Sequence, residues 1–244
     1  MGCTISEGGH QKVKSLRTVS RSLAAFVILA GVTGELPGQV AEKANEGYRT
    51  KEDRARVAQG LDNPDRVQRQ KPRELLQSLG IKEGDIVADI GTGTGFMLPY
   101  LVEAVGASGF VYAEDIQEDF LAKVKKKAAE KGWRNMKVVL GSEKDVMLPA
   151  GKLDWAFILD VYHHFNYPVE ALTSIREALK PAGRVAVIDF YRGREHPSMS
   201  PERLRSHIRL DKEGFVEEIE SAGFRLERSF DHLPYQYVLV FERK

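Results

Sequence analysis

The stretch that decides the fold reads Val87-Ala88-Asp89-Ile90-Gly91-Thr92-Gly93-Thr94-Gly95-Phe96-Met97. An apolar run ending in Asp89 is followed by three glycines at alternate positions and then by apolar residues. This order predicts a strand, a tight turn and a helix. Gly91 and Gly93 permit backbone dihedrals that other residues avoid, and the following helix offers unpaired N–H groups. The stretch therefore predicts the nucleotide-binding corner of an α/β sheet, with a geometry that suits an adenosine-containing cofactor.

The spacing of the glycines separates two classes of nucleotide site. A dinucleotide fingerprint has the form G-x-G-x-x-G, in which the third glycine lets the helix pack on the strand. Here Gly95 comes one residue early, which gives G-x-G-x-G. With Asp89 in front of it, this pattern resembles motif I of the class I S-adenosylmethionine (SAM) methyltransferases. The resemblance implies SAM as the cofactor and Asp89 as the acid that holds its methionine end. An ordinary glycine-rich turn is the alternative interpretation.

Composition narrows the range of functions. The chain has 244 residues, 42% of them hydrophobic, which is enough for one full core. Its 36 basic and 35 acidic residues give a net charge of +1, so no broad basic surface for nucleic acid is predicted. The single cysteine, Cys3, excludes a disulfide framework within the chain and a cysteine-based zinc site. We expect a small-molecule substrate, no nucleic-acid partner and no metal.

Residues 1–47 are interpreted as a leader and linker. Basic residues precede an apolar run at 23–32, and its length of about ten residues is too short for a bilayer, which needs about twenty. The run fits the apolar region of a secretory signal, and a short buried helix is the alternative. The first six residues also match the N-myristoylation pattern. Localisation stays open between the cytoplasm and export, with membrane contact expected only through residues 12–34.

The remainder is predicted to form a helical cap over residues 48–80 and a methyltransferase domain over residues 81–244. The cap is charged, with intermittent apolar residues, and is interrupted by Pro64 and Pro72. It is therefore expected to contain two or three short helices that lie in front of the sheet and end at Gly80. Pro72 is expected at a helix start, where its missing N–H costs little.

A second strand, Phe110 to Asp115, ends in two acids. Parallel sheets bind ligands beyond the carboxyl ends of their strands, so Asp115 is expected to face the same crevice as Gly91 and to accept hydrogen bonds from both ribose hydroxyls. Glu114 is the adjacent alternative, but strand alternation predicts that it points to the other face. Ile116, which follows directly, is included among the predicted cofactor contacts.

The third strand is followed by the loop Gly141-Ser142-Glu143. In the resembling enzymes this loop contacts the adenine, usually through an acid directly after the glycine. Here Ser142 occupies that place and Glu143 comes one residue later. The resemblance therefore implies an adenine contact from Ser142 or Glu143, with a departure from the usual pattern.

The stretch with the most candidate catalytic side chains follows a nearly continuous apolar run at Leu153 to Leu159. Such a run is expected of a strand buried on both faces. It delivers Asp160, His163 and His164 to the mouth of the crevice, and these three are the predicted catalytic residues. Imidazole titrates near neutral pH, so either histidine could act as a base toward a phenol, an enol or an activated carbon. Because neighbouring residues point in opposite directions, at most one is expected to reach the substrate. The alternative is that one histidine packs under the following helix and the other caps a backbone carbonyl.

Three tyrosines are further candidates for an aromatic acceptor pocket. They are Tyr162, Tyr235 and Tyr237. Strand tyrosines usually belong to the core or the rim, and this is the competing interpretation of all three.

The rest of the chain alternates helices and strands before a closing hairpin. A helix over Pro168 to Leu179 is predicted to stop at residues 180–183, and the fifth strand to begin at Arg184. Residues 193–201 read as irregular, followed by a helix near residues 211–222. Residues 224–231 and 235–242 read as an antiparallel pair. The predicted fold is thus a single α/β Rossmann-like domain, with a seven-stranded mixed sheet, helices on both faces and a C-terminal antiparallel hairpin.

The resemblance spans about residues 70–241 and is closest to a group of bacterial class I methyltransferases that often carry an N-terminal leader. Members are often labelled by analogy with quinone C-methyltransferases. The shared stretches are Gln70-Lys71-Pro72, the glycine corner, residues 160–164, Ile188-Asp189-Phe190 and Leu233-Pro234-Tyr235-Gln236-Tyr237. The [DNS]-P-P-[YFW] motif of enzymes that methylate amino groups of bases or amides is absent after the fourth strand.

The predicted function is SAM-dependent methyl transfer to an O-, C- or S-nucleophile of a small molecule, by in-line displacement. A non-catalytic SAM- or SAH-binding protein and an NAD(P)-linked oxidoreductase remain as alternatives. The oligomeric state stays open. The predicted cofactor-binding residues are Asp89, Gly91, Thr92, Gly93, Gly95, Asp115, Ile116, Ser142, Glu143 and Asp160.

Overall fold

The computed structural model describes residues 40–196 and 198–244. The predicted signal or anchor segment, residues 12–34, lies outside the described residues. Within the described ranges, none of the helices combines the length and the apolar character needed to cross a bilayer.

The centre of the molecule is a seven-stranded sheet in the order β3-β2-β1-β4-β5-β7-β6. The first five strands of this order are parallel and β7 runs antiparallel to both β5 and β6. This confirms the predicted mixed sheet with its closing hairpin. The strands are β1 (Ile86–Ile90), β2 (Phe110–Asp115), β3 (Met136–Leu140), β4 (Leu153–Leu159), β5 (Leu179–Phe190), β6 (Phe224–Phe230) and β7 (Gln236–Arg243).

Helices precede the sheet and alternate with its strands. They are α1 (Lys51–Leu61), α2 (Arg66–Gln70), α3 (Pro72–Leu79), α4 (Leu98–Val105), α5 (Glu118–Lys131), α6 (Pro168–Ala178), α7 (Pro201–His207) and α8 (Lys212–Ser221). Short 3-10 helices cover Ala44–Tyr48 and Tyr162–His164. As predicted, Pro72 opens α3 and Gly80 closes it, and Gly80 takes a left-handed conformation (φ +86°) that a glycine adopts without strain.

Two hydrophobic clusters pack against the sheet. One includes Leu172 of α6 and Phe215 of α8, and the other includes Leu75 of α3 and Leu98 of α4. Strand β4 lies between β1 and β5, and its residues 155–159 are all buried, as the continuous apolar run predicted. Because α/β sheets of this kind are covered on both faces, polar side chains are concentrated where the strands end.

The structure differs from the prediction in the start of one strand and in one additional helix. The segment Lys180 to Gly183 is not a helix stop outside the sheet, because β5 already begins at Leu179, which has extended backbone and pairs with Leu153 of β4. Pro181 cannot continue the helix. The chain therefore passes from α6 directly into the sheet, with a register irregularity between Leu153 and Trp155. Helix α7, in addition, was not predicted, although Ser200 caps it by accepting a hydrogen bond from the Arg203 N–H.

The end of the predicted linker is packed in the structure. Ala41 and Ala44 are buried, and the Asn45 side chain donates a hydrogen bond to the His164 carbonyl oxygen (2.9 Å). Residues 40–48 therefore contribute to the same region as the end of β4.

Candidate active site

A cavity of about 330 Å³ lies at the carboxyl ends of β1, β2 and β4. This volume is within the range of sites for small molecules, about 300–1,000 Å³. The glycine corner forms one part of its wall, and the elements that precede the sheet, with Tyr48 and Arg66 among their residues, form another. The cap predicted to lie in front of the sheet therefore supplies side chains to the cavity.

The glycine corner depends on backbone conformations that favour glycine. Gly91, Gly93 and Gly95 have φ values of +66°, +56° and +78°. A Cβ at Gly91 would clash with the Val161 side chain, which follows β4. Residues other than glycine would be strained at these three positions, and at Gly91 the Val161 side chain also leaves no room for a Cβ.

Three buried carboxyl groups surround this corner. Asp89 accepts a hydrogen bond from the Thr92 hydroxyl (2.6 Å), Asp115 accepts one from the Gly93 N–H (2.8 Å), and Glu114 accepts one from the Gly91 N–H (3.3 Å). Burial raises the pKa of Asp89 to about 7 and that of Asp115 to about 6, and burial also raises the pKa of Glu114 well above its usual value. A positively charged ligand would favour the ionised forms of all three.

The position of Glu114 corrects the prediction that it points away from the crevice. Its carboxyl lines the same cavity as Asp115. Gly141 leaves the necessary room, since a Cβ there would clash with the Glu114 carboxyl. The alternation of a strand fixes the direction of each Cβ, but a side chain as long as glutamate can still reach a neighbouring cavity.

Asp160 lines the cavity at the end of β4 with a positive φ of +57°, a conformation uncommon for a residue other than glycine. Gln70 Nε2 donates to its Oδ2 (2.6 Å) and Gln236 Nε2 to its Oδ1 (2.7 Å). Arg66 forms an ion pair with it (3.6 Å). Burial nevertheless raises the pKa of Asp160. We call Asp160, Gln70 and Gln236 the amide clamp, because the two amides hold both carboxyl oxygens.

The two histidines after β4 have different surroundings. His164 lines the cavity, and its Nδ1 lies 2.9 Å from Asn45 Oδ1. His163 is 1% exposed, and its Nδ1 lies 2.7 Å from Oδ1 of the fully buried Asp189. Its Nε2 lies 3.2 Å from the Nε2 of His207. His164 is the one of the two that is among the described residues lining the cavity, but the two rings lie on a 3-10 helix with centroids 4.1 Å apart, so the strand alternation used in the prediction does not apply here.

The imidazoles of His163, His164 and His207 lie close together, and this affects the pKa of two of them. Burial first, and then the neighbouring imidazoles His163 and His207, lower the pKa of His164 well below its usual range. Burial and His163 likewise lower the pKa of His207 to about 4. Both rings are therefore neutral at pH 7.

Comparison with known proteins places this geometry in a family. The family model for a methyltransferase domain matches residues 87–183. A solved SAM-dependent methyltransferase from Aquifex aeolicus is 30% identical, with a TM-score of 0.70, and the similarity covers 76% of this chain and 96% of that one. The chain belongs to the SAM-dependent methyltransferases.

Two other proteins named as methyltransferases are similar to this chain at lower identity. A putative type 11 methyltransferase from Sulfolobus solfataricus is 26% identical with a TM-score of 0.56, covering 71% of this chain and 92% of that one. A ubiquinone/menaquinone biosynthesis C-methyltransferase from Francisella philomiragia is 29% identical over 119 residues, which are 48% of each chain. The match thus spans about half the length of the curated relatives.

The donor set of the cavity fits the cofactor of the SAM-dependent methyltransferases. SAM carries an ammonium, a sulfonium, two ribose hydroxyls and an adenine. Three crowded carboxyls match the positive groups and the hydroxyls, and Ile116, an exposed apolar side chain on the cavity wall, offers a surface for a ring. The family thereby favours the methyltransferase interpretation over a dinucleotide-dependent oxidoreductase.

The loop after β3 also reaches the cavity. Ser142 and Glu143 both line it. The Ser142 hydroxyl accepts a hydrogen bond from the Asp145 N–H (3.1 Å), so it shapes the loop, while Glu143 accepts one from Asn166 Nδ2 (2.6 Å). An adenine contact from either residue stays a prediction.

The three tyrosines predicted as pocket candidates lie elsewhere. Tyr162 and Tyr237 are fully buried, and the Tyr162 hydroxyl donates to Glu218 (2.6 Å). Tyr235 lies near His196, with ring centroids 6.4 Å apart. They are not among the described residues that line the cavity.

Several site residues were missed in the sequence. Glu114 was assigned to the other face, and Tyr48, Arg66 and Asn45 belong to segments without a motif. Gln70, Gln236 and Asp189 were present in the shared stretches, but their roles depend on contacts across the fold. His207 gave no signal, because it ends a helix that was not predicted.

Proposed function

We propose that the protein transfers the methyl group of SAM to a small-molecule acceptor. The observation that carries this proposal is a single cavity with carboxyl groups around the glycine corner and the His164 imidazole elsewhere on its wall. The first region would bind the cofactor and the second would face the acceptor. When bound, SAM supplies a methyl group on a positively charged sulfur, which is already a strong electrophile.

The cofactor contacts follow from the chemistry of each side chain. Asp89 would hold the ammonium of the methionine end, and Asp115 would accept hydrogen bonds from the ribose hydroxyls. The backbone from Gly91 to Gly95, with Thr92 and Gly93 between them, would follow the cofactor closely. Ile116 would cover a face of the adenine, with Ser142 and Glu143 at its edge.

Positioning supplies most of the rate in this proposal. Correct proximity and orientation of two reactants can contribute roughly 7–11 kcal/mol, whereas one general base contributes about 10²–10⁴-fold. The amide clamp on Asp160 fixes the wall beside the glycine corner, since both carboxyl oxygens are held. Tyr48, which packs edge-on against His164 (5.0 Å between ring centroids), belongs to the elements that would keep water out.

The base, where the acceptor needs one, would be His164. It lines the cavity, whereas His163 is buried with Asp189. Neutral at pH 7, His164 can accept a hydrogen bond or a proton from an acceptor hydroxyl. Asp160 is an unsuitable base, because both of its oxygens already accept hydrogen bonds from amides.

The acceptor class can be narrowed from the curated relatives. These relatives are named as C-methyltransferases of ubiquinone and menaquinone biosynthesis. We therefore propose phenols and quinols as the first compounds to test, with thiols as the comparison class.

The test is transfer of isotope-labelled methyl from SAM to a panel of quinols, phenols and thiols, alongside calorimetry with SAH and with NADH. We expect SAH to bind, NADH not to bind, and label to appear in at least one phenolic or quinolic compound. Binding of SAH with no labelled product from any class would favour the non-catalytic alternative. Binding of NADH in place of SAH would overturn the proposal.

A further inference from the structure

A group of three histidines lies beside the proposed acceptor region. It consists of His163 and His164 on the 3-10 helix after β4 and His207 at the end of α7. Their candidate donor nitrogens all lie within 4.8 Å of one another. In the residues that the structure describes, this is the group with the spacing of a metal site. We call it the histidine cluster.

The distances suit a small cation held by imidazoles. In a tetrahedral zinc site the Zn–N distance is about 2.0–2.1 Å, which places two ligand nitrogens about 3.3–3.4 Å apart. The Nε2 atoms of His163 and His207 are 3.2 Å apart. His164 lies in the same group, its ring centroid 5.3 Å from that of His207. The candidate donor nitrogen of His164 lies within 4.8 Å of the other two, and it would have to move closer to them to complete three corners of a tetrahedron.

The outer contacts orient two of the rings. Metal-binding histidines usually donate their other ring N–H to a carboxylate or a carbonyl, which fixes the tautomer. His163 Nδ1 lies 2.7 Å from Asp189 Oδ1, and the His163 backbone N–H donates to Asp189 Oδ2 (3.1 Å). His164 Nδ1 lies 2.9 Å from Asn45 Oδ1. Both contacts leave Nε2 with the lone pair that a cation requires.

A hydrogen bond between His163 and His207 is the competing explanation of the short distance. It would need His207 to donate from Nε2 and would engage two of the three rings. It does not explain why His164 is brought to the same place with an oriented Nδ1 of its own. A cation would use all three rings.

We infer that His163, His164 and His207 bind a divalent transition-metal ion of the zinc type, with Asp189 and Asn45 as outer-sphere partners. Imidazole ligands suit zinc, copper, nickel and iron, whereas magnesium and calcium prefer oxygen. Three protein ligands leave a fourth position for a water molecule or an oxygen of a ligand, as in catalytic zinc sites. This assignment departs from the expectation of no metal, which was drawn mainly from the absence of cysteine pairs.

The site also has a consequence for the reaction. Because His164 lines the cavity, the fourth position would be accessible to an acceptor that carries a hydroxyl or a carbonyl oxygen. The ion would then lower the pKa of that hydroxyl and take over the activation of the acceptor from His164, whose Nε2 lone pair it occupies. This consequence rests on the proposed function, whereas the metal-binding measurements below do not.

The test uses the full-length chain without a polyhistidine tag, freed of metal by dialysis against a chelator. Titration with Zn²⁺ by calorimetry is expected to show one equivalent bound, and titration with Mg²⁺ none. Co²⁺, used as a spectroscopic substitute, is expected to give the visible absorption of a tetrahedral site. Lack of saturable Zn²⁺ binding would overturn the inference.

Variants separate the cluster from other metal-binding groups. His207→Ala is the first choice, since His207 is only half-buried, and it should weaken Zn²⁺ binding at least about a hundredfold. Asp189→Asn should weaken it about 10–100-fold, as expected for an outer-sphere partner. His232→Ala, which removes a histidine outside the cluster, should leave Zn²⁺ affinity unchanged. Equal affinity in His207→Ala and wild type would overturn the inference.

Folding of each variant is checked by circular dichroism and thermal melting. Because His163 and Asp189 are buried, a loss of Zn²⁺ binding in Asp189→Asn counts only if the variant melts cooperatively, and His207→Ala keeps the test decisive in either case. Failure of this inference is separable from failure of the proposed function. Methyl transfer by a protein that shows no saturable Zn²⁺ binding removes the metal site alone, whereas saturable Zn²⁺ binding without transfer to any acceptor removes the proposed function alone.

Discussion

The acidic region around the glycine corner and the histidine cluster beside the cavity differ in how they are built. The region around the glycine corner takes Asp89, Glu114 and Asp115 from the ends of two adjacent parallel strands. The histidine cluster takes His163 and His164 from one segment and His207 from another, 43 residues further along the chain than His164 (207 − 164). The acidic region is therefore formed by one local supersecondary unit, while the histidine cluster forms only once the fold is complete. We expect the first to set cofactor affinity and the second to set turnover.

The largest expected effect is on turnover. His164→Ala should lower kcat by at least tenfold and by as much as about 10²–10⁴-fold, because it removes the imidazole that reaches the acceptor. The dissociation constant of SAH should change less than twofold. The measurement is steady-state methyl transfer together with calorimetry.

His163→Ala provides the comparison for His164→Ala. Under the proposal it acts through its neighbours and should cost less in kcat, provided the variant still folds. Unchanged turnover in both variants would show that the histidine cluster takes no part in catalysis.

For the acidic region we expect a large effect on cofactor affinity and a small effect on kcat. Asp115→Ala should raise the dissociation constant of SAH about a hundredfold, because hydrogen bonds to a charged group contribute about 1.5–3 kcal/mol. The kcat at saturating SAM should stay within a few fold. Glu118→Gln, which removes an acid in the first turn of α5, serves as the control. Loss of kcat without loss of affinity in Asp115→Ala would contradict the division into two regions.

The amide clamp joins the two regions, and its loss should affect stability. Gln236→Ala leaves one Asp160 oxygen without its donor and should lower the free energy of unfolding by about 1–3 kcal/mol, the cost of a buried polar group left unsatisfied. Gln70→Ala should behave similarly. Gln68→Ala, an exposed residue on the same helix, should have no effect. Denaturant unfolding measures all three, and equal stability of Gln236→Ala and Gln68→Ala would show that the clamp does not stabilise the fold.

The smallest expected effect is on the pH dependence of SAM affinity. In the free protein the pKa of Asp89 is raised to about 7, so most of this carboxyl is protonated at pH 6 and ionised at pH 8. Binding of a cationic group requires the ionised form. SAM affinity should therefore fall about tenfold as pH drops from 8 to 6, the change expected of one carboxyl with that pKa.

Two variants test whether the pH dependence of SAM affinity comes from the acidic region or from the histidine cluster. Asp89→Asn should bind SAM more weakly at pH 8 and lose most of the pH dependence, since it has no carboxyl to titrate. His207→Ala should keep the wild-type pH dependence of SAM affinity. A pH dependence that survives in Asp89→Asn would assign it to another group.

Much of the fold was readable in the sequence for a physical reason. The apolar run at residues 153–159 is a continuous pattern whose burial is decided by near neighbours in sequence. The fifth strand was placed too late because Leu179 pairs with Leu153, a contact that proline and glycine signals at residues 181–183 do not reveal. Helix α7 was missed because it has seven residues and lies between irregular segments.

The sequence by itself determined the glycine corner, the acids at the ends of its strands and the family to which they point. These features depend on backbone conformation and on strand alternation, which act over a few residues. Only the tertiary structure decided that Gln70 and Gln236 hold Asp160, that Glu114 reaches the cavity, and that His207 meets His163. Such contacts join residues far apart in the chain, and their formation depends on packing of the whole sheet, which no local pattern specifies.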